Sequence, residues 1–132
     1  MNENLEAARG LARKAEHDWK NASAGLQHDV PLDTVCFHIQ QTTEKLLKAL
    51  MVTEGLEYPF THDLRNLLDR LVPRVPALAE FYDTLPDYTD FAVTMRYDDS
   101  LEPTREETLE AFECVQRLRA VILELLPPAA QP

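Results

Sequence analysis

Apolar residues recur at spacings of three and four along most of the chain, the period that buries one face of an α-helix. No segment shows the two-residue alternation of a half-buried strand. Leu5, Ala8, Ala12, Ala15, Trp19 and Ala22 predict a first helix over residues 4–24, with a narrow, alanine-rich apolar face. Cys36, Ile39, Thr43, Leu46 and Leu50 form the seam of a second helix running from Leu32 or Asp33 to Glu54, with Asp33 as candidate N-cap. Gly25 and Gly55 follow these two patterns and are expected at the left-handed position just past a helix end. A third helix opens at Thr61, whose hydroxyl can cap free amides, carries Leu64, Leu67, Leu68 and Leu71, and is stopped by Pro73 and Pro76. Residues 77–97 read as helical but broken near Pro86 and Asp87, into 77–85 and 87–97. Thr104 and Glu107 have capping-box spacing ahead of Leu109, Phe112, Val115, Leu118 and Ile122, on one side of a last helix that ends before Pro127 and Pro128. These elements predict an all-α protein, a four-helix up-and-down bundle with an additional short helix over residues 1–126, followed by a disordered tail at 127–132.

The composition narrows the class without changing that picture. A chain of 132 residues with 45% hydrophobic content suits one domain that buries roughly two thirds of its unfolded surface. Cys36 and Cys114 both fall at apolar positions of helical patterns, so buried thiols are expected rather than a disulfide. The N-terminus lacks the basic start and apolar run of a signal peptide, and no apolar stretch is long enough to span a bilayer, which points to a cytoplasmic protein outside the membrane. The net charge is −10, and residues 67–132 hold 13 of the 23 acidic side chains against 6 of the 13 basic ones. That field repels phosphate backbones, so duplex DNA is not an expected partner.

Against this acidic background, His38, Gln41, Lys45 and Lys48 line up on the second helix at spacings of three, four and three, roughly opposite the buried seam. Most polar stripes are simply solvated helix faces. This one is also a cationic track in an acidic chain, and such a track suits a phosphate or an acidic partner. His62 is expected in the first turn of the third helix, next to Asp63, where the helix dipole favours a neutral ring; the plainer alternative is a histidine tied to local backbone. Arg96 and Tyr97 close the fourth helical region ahead of Asp98 and Asp99, with which Arg96 is expected to pair unless it meets the last helical carbonyls. The histidine and cysteine spacings fit neither a zinc site nor a di-iron bundle, and glycine-rich phosphate loops are absent, so no metal and no cofactor are expected. Cys36 and His38 point to different sides of their helix and do not form a dyad.

The run CysPheHisIleGlnGlnThrThrGluLysLeuLeuLysAlaLeu at 36–50, ThrHisAspLeu at 61–64, ArgTyr at 96–97 and AlaGluHisAspTrp at 15–19 together resemble the HEPN family of small helical-bundle proteins. The resemblance implies an up-and-down bundle, usually paired as a homodimer, often encoded beside a minimal nucleotidyltransferase and sometimes part of a toxin–antitoxin pair. It also implies a kinship to a nucleotidyltransferase domain for which nucleotide binding is proposed. The positions it singles out are His38, Gln41, Lys45, Lys48, His62, Asp63, Arg96 and Tyr97. Ribonucleases of the family resemble one another in an Arg followed by four to six residues and then His. Here Arg13 precedes His17 with three residues between, Arg9 precedes it with seven, and no His follows position 62. Three functions remain open: a module that binds a nucleotide or a nucleotidyltransferase partner, a ribonuclease toxin acting on RNA, and a homodimeric protein whose stripe serves packing alone.

Overall fold

The computed structural model describes residues 2–132, with side chains from Asn4 onward. The described residues form five α-helices, α1 (Asn2–Gln27), α2 (Leu32–Thr53), α3 (Leu64–Leu71), α4 (Thr94–Tyr97) and α5 (Arg105–Leu125), with two 3-10 segments between α3 and α4 and a third after α5. Helices α1 and α2 form an antiparallel hairpin, α5 packs along α2, and α3 and α4 with the 3-10 segment Leu85–Phe91 cover the remaining side of α2. The result is an all-helical bundle with α2 at its centre. From residue 35 to residue 53 no side chain of α2 is exposed.

The hairpin turns differently from expectation. Gly25 lies inside α1, and the left-handed residue is Asp29, at φ 58°. Gly25 is needed for closeness instead, because a Cβ there would sit 2.8 Å from Cγ2 of Val35, a buried and β-branched side chain on α2. Gly55 does take the expected left-handed conformation after α2, at φ 73°. These observations set a paired prediction by thermal or urea unfolding. Gly25→Ala should lose about 1 kcal/mol, since an overpacking cost of about 1–3 kcal/mol exceeds the helix-propensity gain. Gly10→Ala, on the open face of α1 with nothing within 4 Å, should gain about 0.5–1 kcal/mol.

Helix starts differ too. Asp33 lies in the first turn of α2 behind Pro31, accepting from the Thr34 amide, rather than capping the helix. Helix α3 begins later than predicted, with Asp63 as N-cap accepting from the Arg65 amide, while Thr61 accepts from the Asp63 amide one step earlier. The capping box of Thr104 and Glu107 forms as expected.

The region between Pro76 and Tyr97 is not a broken α-helix but two 3-10 segments, Pro76–Phe81 and Leu85–Phe91, followed by the single turn of α4. Prolines at the first turn of each segment suit short, tight helices. Leu78, Phe81, Leu85 and Phe91 anchor them in the core. On α5 the buried line runs through Thr108, Ala111, Val115, Leu118 and Ile122, which leaves Leu109 exposed and puts Phe112 at the edge facing α1. Residues 127–132, expected to be disordered, instead form a 3-10 turn at Pro128–Ala130 that packs on α1. Ala130 is buried there, and the Gln131 amide donates to the carbonyls of Leu123 and Leu126.

Both cysteines are buried free thiols. Desolvation pushes the Cys36 thiol up to about 11, against the opposing contact with Thr108, and burial likewise raises Cys114. No described helix is long and apolar enough to cross a membrane.

Candidate functional site

Because α2 is enclosed, its polar stripe is not a solvated face. Lys48 is buried, and His38, Gln41 and Lys45 are half-buried against neighbouring elements. Two carboxylates organise them. Asp18, carried by α1 directly across the hairpin, takes His38 Nδ1 on one oxygen at 2.9 Å and Lys45 Nζ on the other at 2.6 Å. Glu44, on α2 itself, takes His62 Nδ1 at 2.7 Å and Lys48 Nζ at 2.9 Å. The Glu44–Lys48 spacing of four places the two side chains one turn apart on the same helix face.

A glutamine relay extends the second group. Gln40, fully buried, donates from Nε2 to Glu44 at 3.2 Å and to the His62 carbonyl at 3.3 Å, while Gln41 donates to Gln40 Oε1 at 2.7 Å. Burial alone would push the Glu44 carboxyl up. Hydrogen bonds from His62, Lys48 and Gln40, with the Lys48 charge, outweigh it and hold the carboxyl below its ordinary range. Lys48 also lies 5.2 Å from the Tyr58 ring centroid.

The carboxylates fix the histidine tautomers. An ionised carboxylate only accepts, so Nδ1 of each ring donates, and Nε2 of the neutral ring keeps its lone pair for something outside the network. His62 is 56% exposed through its side chain and His38 25%, so the His62 ring belongs to the more open rim of the cluster and the His38 ring lies deeper. His62 therefore does not stand in the first turn of α3 under its dipole. It precedes the helix and is tied to α2.

Arg96 does not pair with Asp98 or Asp99. Its guanidinium stacks on Phe37 at 4.5 Å and lies 5.8 Å from the Tyr97 ring, and Phe37 meets the His38 ring edge-on at 5.5 Å. Arg96 thus joins the His38 side of the cluster through an aromatic spacer, with Tyr97 standing 81% exposed beside it. Asp63 is the one predicted position outside the cluster, since its carboxylate caps α3.

Residues that organise the site were not among those singled out. Asp18 sits in the 15–19 segment that carries part of the resemblance, but only the folded hairpin brings it to α2. Gln40 and Glu44 stand at the four-residue spacing of helical neighbours, and their spacing to each other and to Lys48 was the available signal.

The chemistry follows from the pairing. Two lysines facing two carboxylates cancel in charge, which leaves a preorganised hydrogen-bonding surface with two imidazole acceptors, one guanidinium and one exposed phenol. A shallow cavity of about 560 Å³, lined by Val52, Leu56, Tyr58 and Phe60 around the end of α2, adjoins the Lys48 side of the cluster through Tyr58.

Comparison with known proteins agrees with this architecture. A crystal structure of TT1696 from Thermus thermophilus superposes with a TM-score of 0.77 at 25% identity, covering 94% of this chain and 98% of that one. No curated protein matches the chain. A family model described as HEPN domain matches residues 8–125, and on that match over most of its length the chain belongs to the HEPN domain family.

Proposed function

We propose that this chain is a non-catalytic HEPN module that docks a protein partner, of the minimal nucleotidyltransferase kind, on the face carrying His38, His62, Arg96 and Tyr97. One observation supports this over an anion site: the lysines that would attract a phosphate are already neutralised by Asp18 and Glu44. What remains on the rim is a set of hydrogen-bond acceptors beside an arginine and a tyrosine, residue types enriched at protein interfaces. Val93 and Leu101 add exposed apolar surface next to Tyr97 in the sequence. Such a module would work in the cytoplasm, in keeping with its two free thiols, and pairing with a toxin-like or antitoxin-like partner fits the same face.

The test is isothermal titration of the purified chain with a minimal nucleotidyltransferase, and separately with ATP. Binding to the protein that His62→Ala with Arg96→Ala weakens tenfold or more, about 1.4 kcal/mol, is the expected result. Absence of binding, or binding indifferent to the double variant, overturns the reading. A nucleotide site would instead give ATP binding that Asp18→Asn strengthens, because that change releases the charge of Lys45.

A ribonuclease reading is favoured by a different observation. Each histidine is held through Nδ1 by a carboxylate, which leaves Nε2 as the nitrogen a general acid–base would use, and Arg96 stands one aromatic ring from His38. On that reading, expression without a partner arrests growth and cleaves RNA. Harmless expression removes it.

A further inference from the structure

On the outward side of α1, remote from the cluster around α2, Arg9, Arg13, His17 and Lys20 are all exposed, and Lys14 flanks them. At 3.6 residues per turn the four fall within about 80° of arc, with Arg9 and Lys20 about 17 Å apart along the axis and steps of four residues covering about 6 Å. No carboxylate among the described residues lies within ion-pair distance of Arg9, Arg13, Lys14 or Lys20, whereas Glu16 at the edge of this face is taken by Arg119. The segment packed beside it, residues 127–132, contains no charged side chain, and its Pro132 lines a shallow pocket with Arg13, Glu16, His17 and Lys20 at one end of the track. Among the described side chains of α1, Glu6 is the one unpaired acid pointing the same way, so this face is locally positive on a chain whose net charge is −10.

We infer that the outer face of α1 is a docking track for the phosphodiester backbone of a single-stranded nucleic acid. Three features select that occupant. The fixed cations Arg9, Arg13 and Lys20 form a line with gaps of four and seven residues, about 6 Å and about 10 Å along the axis, and Lys14 stands beside it, so an extended strand can lay more than one phosphate along the helix. The face carries no aromatic side chain, and the one large aliphatic at its edge, Leu5, is half-buried beside Arg9, so a protein partner would find no exposed apolar anchor of the kind that dominates protein interfaces, and a bilayer would find nothing to insert. A phosphate backbone needs neither, because release of its counterions supplies the driving force. Without aromatics to stack on bases, the track reads charge and not sequence, so RNA and DNA strands should be held alike.

Fluorescence anisotropy with labelled oligo-dT and oligo-rU strands of about 20 nucleotides at low salt tests this. Both should bind with similar affinity, and log K should fall against log salt with a slope of about −2 to −3, the value for three or four phosphates neutralised on a single strand. The triple reversal of Arg9, Arg13 and Lys20 to Glu should weaken binding tenfold or more without changing the circular dichroism spectrum. Arg13→Gln alone, a milder change, should reduce the salt slope by about 0.7. The inference is overturned if neither oligonucleotide binds at low salt or if the triple variant binds as well as the parent chain. Equal or tighter binding of polyglutamate or of anionic phospholipid vesicles also overturns it, assigning the face to an acidic protein or a membrane surface.

Discussion

Glu44→Ala is expected to destabilise the protein by about 3–5 kcal/mol in urea unfolding at neutral pH, the cost typical of removing one partner from a buried ion pair. The carboxylate is 8% exposed and receives Lys48, His62 and Gln40. Its loss leaves the Lys48 ammonium, 10% exposed, without an anion and the Gln40 amide without one of its acceptors. Against a total stability of about 5–15 kcal/mol this is a large fraction. Asp18→Ala should cost less, about 1–2 kcal/mol, because Lys45 and His38 are about one quarter exposed and can turn to water. Replacing Glu44 and Lys48 together by Leu should recover much of the loss, since an apolar pair of similar volume leaves no buried charge.

The same carboxylate gives the chain an acid limit of known sign. The Glu44 carboxyl is held below its ordinary value in the folded protein, so the unfolded chain takes up the proton first as pH falls. The stabilisation it supplies is complete above the ordinary carboxyl range and is lost as pH drops through that range towards the lowered folded value. Glu44→Gln should therefore flatten the acid limb of stability against pH, read by urea unfolding at a series of pH values from about 3 to about 7.

Trp19→Ala should be comparably severe, at about 3–5 kcal/mol, the range for removing a buried aromatic. Trp19 is 9% exposed and lies flat on Phe112 with ring centroids 4.3 Å apart, and the Arg119 guanidinium lies 6.0 Å from it. Arg119 in turn makes a two-pronged contact with Glu16, through Nε to Oε2 at 2.8 Å and Nη2 to Oε1. These contacts form the seam between α1 and α5, two helices otherwise joined mainly through α2. Trp19→Phe keeps a ring for Phe112 and should lose less than half as much, so the pair of variants separates stacking from bulk.

The helices with a strong apolar period were readable before folding. α2 and α5 carry Leu and Ile at three-four spacing, and the Thr104–Glu107 box marks its helix start from sequence alone. Residues 76–97 were not, because 3-10 and α segments share the same apolar residue types, and Leu78, Phe81, Leu85 and Phe91 fit either period over so few turns. Gly25 illustrates a second limit: a glycine at a helix end and a glycine under a neighbouring side chain look alike until Val35 is placed against it.

The site was half legible. His38, Gln41, Lys45 and Lys48 group together on α2 as their spacing predicts, because helical periodicity fixes their relative angles. Their surroundings were not readable, because exposure of a polar stripe depends on what packs over it, and Asp18 reaches Lys45 from 27 positions away. That one tertiary contact, with its counterpart at Glu44, changes a cationic track into a neutral hydrogen-bonding cluster and shifts the functional reading from anion capture to partner docking.

The most direct test of that shift is the nitrogen NMR spectrum of the His38 and His62 rings, recorded at a pH where both are neutral. The expected spectrum has the proton on Nδ1 of both rings and a bare Nε2, with the Nε2 signals moving on addition of a minimal nucleotidyltransferase, the partner proposed for this face, and staying fixed with ATP. Protons on Nε2 in the free protein, or signals that respond to ATP and ignore the partner, would contradict it.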